Sequence, residues 1–434
     1  MLKKVLGTIT TRFIIAILTL AMVLINARVL GPEKVGTISL VILAITIIQL
    51  LNSFVGGSAL IYLVPRLELI KLLIPAYLWA LFTAVAGTGL LSVFQLFPKD
   101  LVIHIHIIPE GYFRHVMLLS MLLSLASVNF MILMGQERIK SYNTITVLQM
   151  ICMFGMIMTC FFVFHQRDVS AYLESLYVSY TFSFLMGFWM ILPSVKKATP
   201  GGMKAVLKEI FHFGSIMQMG NILQFLNYRV SYYFIEIFLN RAAVGIYSVG
   251  VQLSESMWLL AKSIHMVQYT RISNEDDPQY AVRLTLNLLK ITFLLTFICL
   301  VLVLLLLNLF FPLIFKPAFH EVLSIMLALS SGILIFSISI ILSPYFSGTG
   351  KPMHNTISAA IGLVFTLAFS LIFIPRIGLM GAAWAATLAY SAATFYQMIV
   401  FVKKANVSFS DFLLRKKDIL LIVDEIRVFL KKDK

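Results

Sequence analysis

The sequence predicts an all-α integral membrane protein of about twelve transmembrane helices in two six-helix lobes, and three observations predict it. Of its 434 residues, 60% are hydrophobic and only 12% charged, with a mean hydropathy of +0.95. A soluble globular chain carries about 25% charged residues. Apolar runs close to the ~20 residues that a bilayer helix requires recur along the whole chain. Short segments of the first half echo segments of the second.

The runs fall at about 12–27, 37–62, 72–97, 114–134, 144–165, 170–193, 212–239, 243–270, 287–311, 320–345, 355–375 and 379–402. They are continuous, which excludes a transmembrane β-barrel, whose strands alternate with period two. The first run, in "MLKKVLGTITTRFIIAILTLAMVLINA", has the basic start and apolar centre of a secretory signal, with Ala27 where cleavage would fall. The internal repeat argues that it stays. "LGPEKVGTIS" (Leu30 to Ser39) and "LNRAAVGIYS" (Leu239 to Ser248) share Leu, Val-Gly and Ser in register, each after one apolar run and before another. "SYNTIT" (Ser141 to Thr146) and "MHNTIS" (Met353 to Ser358) agree at nearly the same offset. A duplicated six-helix unit follows, in which the first run is the counterpart of the seventh. The expected organisation is a lobe over 1–195, a cytoplasmic linker over 196–210 with Pro200-Gly201-Gly202, a second lobe over 211–404 and a tail over 405–434.

Lys and Arg number 34 against 19 acidic residues. Their distribution reports topology and not a nucleic-acid surface. With an even number of crossings, Arg66, Lys71, Arg138, Lys140, Lys196, Lys197, Arg271 and Lys351 share one side with both termini, which the positive-inside rule makes cytoplasmic. Cys152, Cys160 and Cys299 lie inside apolar runs without metal-ligand spacing, as small core hydrophobes. His104 and His106 in the longest external loop lack a nearby third ligand for a metal. In the tail, Ile419, Leu420, Val423, Ile426 and Leu430 recur every three or four residues between charged positions, an amphipathic helix suited to the inner leaflet.

Four stretches carry a resemblance: "RVLGPEKVGTISLVIL", "RAAVGIYSVGVQL", "SGTGKPMHNTISAAIG" and "IPRIGLMGAAWAATLAYS". Together they resemble the polysaccharide-transport branch of the multidrug/oligosaccharidyl-lipid/polysaccharide exporter superfamily, and within it the O-antigen flippases. The resemblance covers nearly the whole chain. It implies a MATE-like fold with two lobes around a central cavity that opens alternately to each side of a bacterial inner membrane. The implied cargo is an undecaprenyl-diphosphate-linked oligosaccharide. Membrane lipids, a polysaccharide polymerase and a chain-length regulator are the implied partners of a monomer, with no cofactor and no nucleic acid. Gly31, Gly36, Gly245 and Gly381 carry over as structural positions, where small residues let backbones approach.

The chemistry is expected where charge enters the apolar runs. Arg229 lies ten residues before Leu239, ~15 Å along a helix and so near mid-bilayer. Gln218, Phe225, Arg229, Tyr232, Tyr233 and Glu236 fall within roughly 60° of one helical line. Ser248, Gln252, Glu255 and Lys262 make a second line on the next run, with Glu255 at nearly the depth of Arg229. Two readings stand open. Arg229 and Glu255 form a buried pair that joins two helices, or Arg229 lines a wet cavity and reads a phosphate through paired hydrogen bonds while the tyrosines face sugar. Lys262 either snorkels to the interface or lies at the inner mouth of the cavity. Arg12 is similar but weaker. Asn26 and Asn52 are candidate substrate contacts or interhelical hydrogen-bond formers. Glu236, Glu255 and His265 are the groups that would serve ion coupling, although His265 better suits a hydrogen-bonded core.

Two rivals are kept. A cation-coupled drug antiporter of the same superfamily typically has an acidic residue in its first helix, which is absent here. A polysaccharide polymerase would need a large external loop bearing Arg, His or acidic groups, and the loops here are short. No GxxxxGK[ST] phosphate loop is present, and "GTGKP" follows an apolar run instead of a strand.

Overall fold

A computed structural model of the chain describes residues 2–93, 107–195, 203–273 and 277–412. His104, His106, the 196–202 part of the linker and the amphipathic segment beyond Phe412 lie outside them. Among the described residues there are thirteen α-helices and no strand. They are α1 (Leu2–Leu30), α2 (Pro32–Gly56), α3 (Ser58–Leu63), α4 (Leu69–Val93), α5 (Phe113–Gly135), α6 (Ile139–Met158), α7 (Val169–Ile191), α8 (Met203–Phe238), α9 (Arg241–Ser256), α10 (Trp258–Ser273), α11 (Pro278–Ile314), α12 (Glu321–Gly348) and α13 (Met353–Ala405).

Nine helical stretches among the described residues are long and apolar enough to cross a membrane. One of them, α13, contains two of the expected runs. Its helical path breaks after Pro375, where Ile377 leaves helical geometry and Gly378 takes φ 61°, so two helices meet at the boundary expected near 376–378. A side chain with Cβ is strained at that φ, which explains a glycine there. The expected runs at 212–239 and 243–270 correspond to α8 and to α9 with α10. These fall outside the nine because α9 and α10 have 16 residues each and α8 is interrupted by Gln218, Asn221, Gln224, Asn227 and Arg229. The surface is that of a lipid-embedded protein: Leu309 is 71% exposed and Trp189 70%, while Ser120, Ser124, Asn129, Ser175, Ser179 and Ser183 are wholly buried on α5 and α7. Inside a bilayer apolar burial drives nothing, so small and polar residues gather at helix seams.

Packing divides the chain into two compact units, counted over the described residues. Met1–Ile222, Tyr232–Val249 and Ile314–His320 form the first; Leu223–Ser231, Gly250–Leu313 and Glu321–Lys434 form the second. In the first, α5 packs on α4 and α7, α6 on α1 and α7, and α2 on α4 and α5. In the second, α12 packs on α13 and α10.

Residues 232–249 join the first unit because of a backbone contact between the two repeat segments. A Cβ placed on Gly36 would collide with the carbonyl oxygen of Arg241, and one on Gly245 with that of Pro32. Both pairs obey the repeat: Gly36 and Gly245 are 209 apart (245 − 36), as are Pro32 and Arg241 (241 − 32). Each copy therefore presents its glycine to the other copy's helix start, as partners do across a two-fold axis. Ser39 Oγ and its counterpart Ser248 Oγ lie 2.8 Å apart near that axis, both buried. The two helix starts differ in chemistry. α2 opens with Pro32 at N1 after Gly31 at φ 83°, whereas Asn240, the counterpart of Gly31, caps α9 by accepting the Ala243 amide at 2.9 Å.

Candidate functional site

The second unit holds the charge that the apolar composition least explains. Arg229 lies nine residues before the end of α8, and Glu255 is the penultimate residue of α9. The helical path breaks at Met257 before α10. The structure joins the two charges in a fork: Nη1 donates to Oε1 and Nη2 to Oε2, each at 2.7 Å. Two parallel charge-assisted hydrogen bonds are the strongest arrangement this residue pair can adopt. The side chains remain 23% and 15% exposed, so the pair is only partly withdrawn from its surroundings.

An aromatic cluster frames the pair. Tyr228 lies 5.9 Å from Trp258, 5.8 Å from Phe336 and 5.9 Å from Tyr390 by ring centroids, and Trp258 lies 4.9 Å from Phe336. Trp258 is fully buried and donates its indole N–H to the Ile333 carbonyl at 3.0 Å. This anchors the start of α10 on α12 and so fixes the break that follows Glu255. Lys262, one turn further on, is exposed, with its ammonium 5.6 Å from the Trp258 ring. His265 is hydrogen-bonded through Nδ1 to the Ile340 carbonyl at 2.9 Å, so that nitrogen carries the proton. On α8, Asn227 accepts from Thr366 at 2.6 Å, and the Ser231 and Ser370 hydroxyls are 3.2 Å apart; both pairs tie α8 to α13.

The other expected residues fall in the first unit, each with its own surroundings. Tyr232 is 4% exposed with its ring 5.7 Å from Tyr247. Tyr233 is half-buried, its hydroxyl buried without a hydrogen-bond partner. Glu236 is engaged by Arg241, whose Nε and Nη2 donate to Oε1 at 3.1 and 3.0 Å. Gln218 donates to the Leu50 carbonyl at 3.2 Å. Arg12 is half-buried on α1. The interhelical hydrogen bonds expected of Asn52 are not made: its side chain is fully buried beside Gly56 of its own helix, and neither amide atom has a partner. Asn26 is likewise buried, its Oδ1 unpaired. Each group considered for ion coupling thus has a partner: Arg241 for Glu236, Arg229 for Glu255 and a backbone carbonyl for His265.

Sequence reasoning missed the aromatic frame and the Glu236–Arg241 pair. The first brings together residues from α8, α10, α12 and α13, for which no spacing rule exists. The second had a faint signal, an acid and a base five residues apart across a helix end. Among the described residues no cluster of three metal-ligating side chains exists, and the three cysteines are free.

A family described as "Polysaccharide biosynthesis protein" matches residues 25–324. The chain belongs to this family. No curated protein sequence matches it. Among solved structures it is similar to the lipid II flippase MurJ in an inward closed conformation, at 15% identity with a TM-score of 0.72, covering 100% of this chain and 93% of that one. It is also similar to an inward-facing multidrug resistance MATE transporter of the MOP superfamily, at 15% identity and a TM-score of 0.68, covering 92% and 98%. A third is a MOP superfamily transporter from Pyrococcus furiosus, described by the reverse polarity of its binding pocket, at 15% identity and a TM-score of 0.58, covering 95% and 97%. At these identities the likeness establishes the fold: a multi-pass, MATE-like helical membrane protein.

Proposed function

We propose, taking that family membership as the premise, that this protein is a flippase. It moves undecaprenyl-diphosphate-linked oligosaccharide repeat units, of O-antigen or capsule type, from the cytoplasmic to the outer leaflet of a bacterial inner membrane by alternating access, with both termini cytoplasmic. The observation that carries the reading is the forked Arg229–Glu255 pair, partly accessible and joining α8 to α9. A charge at that depth is costly and marks a pathway more often than a joint.

In this mechanism Glu255 holds the guanidinium extended until a phosphate displaces it. A phosphate offers the same planar pair of acceptors as a carboxylate, so Arg229 changes partners without changing geometry. Trp258 holds the α9–α10 break, which keeps Glu255 in place during the exchange. Outward movement of a diphosphate bearing roughly two negative charges gains ~2.3 kcal/mol per charge per 100 mV of inside-negative potential, so export need not consume nucleotide.

The test is genetic complementation scored by surface glycan. Arg229→Ala is expected to abolish export, and Arg229→Ala/Glu255→Ala to remain inactive. Restoration by the double variant would make the arginine a helix joint only. The cation-coupled antiporter is separated by a second readout: protection of cells from cationic dyes with normal surface glycan would favour it. Accumulation of flipped but unpolymerised units outside a deletion strain would instead favour a polymerase.

A further inference from the structure

The first unit contains a cleft of ≈ 660 Å³ far in sequence from Arg229, at the N-terminal ends of α2, α5 and α7. Its walls come from the first, third and fifth connections between membrane runs. In a chain that crosses the membrane at every run, these connections share one side, opposite the N-terminus. Lys34 ties two of them together, donating to Asp168 Oδ1 at 2.6 Å and to the Arg167 carbonyl at 2.7 Å. The third contributes Glu110 and Tyr112, whose ring lies 6.1 Å from that of His115. His115 is held in turn by the Tyr177 hydroxyl at 3.1 Å. Glu33 completes the lining with an exposed carboxylate.

We infer that this cleft is a binding subsite for a neutral oligosaccharide. Its volume lies within the range of small-molecule sites, about 300–1,000 Å³. Its chemistry matches a sugar: carboxylates accept hydrogen bonds from neighbouring hydroxyls, Lys34 and His115 supply donors to ring and hydroxyl oxygens, and the Tyr112 ring offers a flat apolar face to the C–H side of a pyranose. Among the described lining residues carboxylates outnumber cationic side chains, so the cleft favours neutral hydroxyls over phosphate. The glycan and the diphosphate of one cargo would thus be recognised by chemically opposite sites. That the cleft lies on the delivery side rests on the flippase reading; that it binds glycan does not.

The test uses the full chain in lipid nanodiscs, titrated with maltotriose and with N,N′,N″-triacetylchitotriose by saturation-transfer-difference NMR, with pyrophosphate as an anionic competitor. A neutral trisaccharide is expected to bind with a millimolar Kd, undisturbed by pyrophosphate, and to bind at least about fivefold more weakly to Glu110→Gln/Tyr112→Ala. Glu33→Gln, at an exposed position, should weaken binding in the same direction. Absence of binding by both sugars, a smaller loss in the double variant, or competition by pyrophosphate overturns the inference. Complementation by the wild-type chain is scored in parallel. Restored surface glycan without trisaccharide binding removes the cleft and leaves the flippase; binding without restoration removes the flippase and leaves the cleft.

Discussion

The Gly36–Gly245 contact and the Arg229–Glu255 pair show what duplication kept and what it let go. The first is repeated in both copies, with glycine meeting the opposite helix start and serine meeting its own counterpart. The second exists in one copy only. At the same offset of 209, the counterpart of Arg229 is Leu20 (229 − 209) and that of Glu255 is Thr46 (255 − 209). Thr46 satisfies its hydroxyl on the Ile42 carbonyl within its own helix, at 2.7 Å. Backbone proximity tolerates no enlargement on either side, so both glycines are needed at once. A charge pair needs only one site, and a second pair in the membrane would cost several kcal/mol without a second task.

Enlarging one glycine is the severest way to break this comparison. Gly245→Leu sets a side chain against the Pro32 carbonyl, which is backbone and cannot rotate away. We expect a loss of about 3 kcal/mol or more, read as a collapse of the thermal transition in detergent and of the membrane-inserted amount. A wild-type transition would show that the two segments separate freely. Arg229→Lys probes the other region more gently. Lysine keeps the charge but cannot make both hydrogen bonds to Glu255, so about 1–2 kcal/mol of stability should go, together with most of the export. Full export by this variant would mean that the fork geometry is irrelevant to transport. Ser248→Ala should do least. It removes one hydroxyl from the Ser39 contact and costs about 0.5–1.5 kcal/mol, with export unchanged; a transport defect here would bring the symmetric contact into the working cycle.

Most of the fold was legible because a bilayer demands runs of fixed length with satisfied backbones, and every expected run is helical over most of its described residues, those at 37–62 and 243–270 being split between two helices. The boundary expected near 376–378 is where Ile377 and Gly378 leave helical geometry and part the two runs. The candidate site was half legible. Arg229 and Glu255 could be matched by depth, since antiparallel neighbours place counted residues at predictable heights. Tyr232, Tyr233 and Glu236 could not be followed the same way. Helical phase says which way a side chain points and nothing about what stands there: Tyr247 covers Tyr232, and Arg241 reaches back to Glu236 across the helix end. Asn52 failed for a related reason, because an amide hydrogen-bonds only if a neighbouring helix offers a group at the same level, and neither of its amide atoms finds one.

By itself the sequence determined that the chain spans a membrane many times, that its two halves are related, and that a guanidinium is carried deep among apolar residues. These are properties of composition and period, readable without knowing any neighbour. Only the tertiary structure decided which carbonyl each glycine must clear, that Glu255 grips Arg229 with both oxygens, and which aromatic rings hold the break beside them. Each of those depends on segments far apart in the chain meeting at ångström separations, and no one-dimensional pattern specifies that meeting.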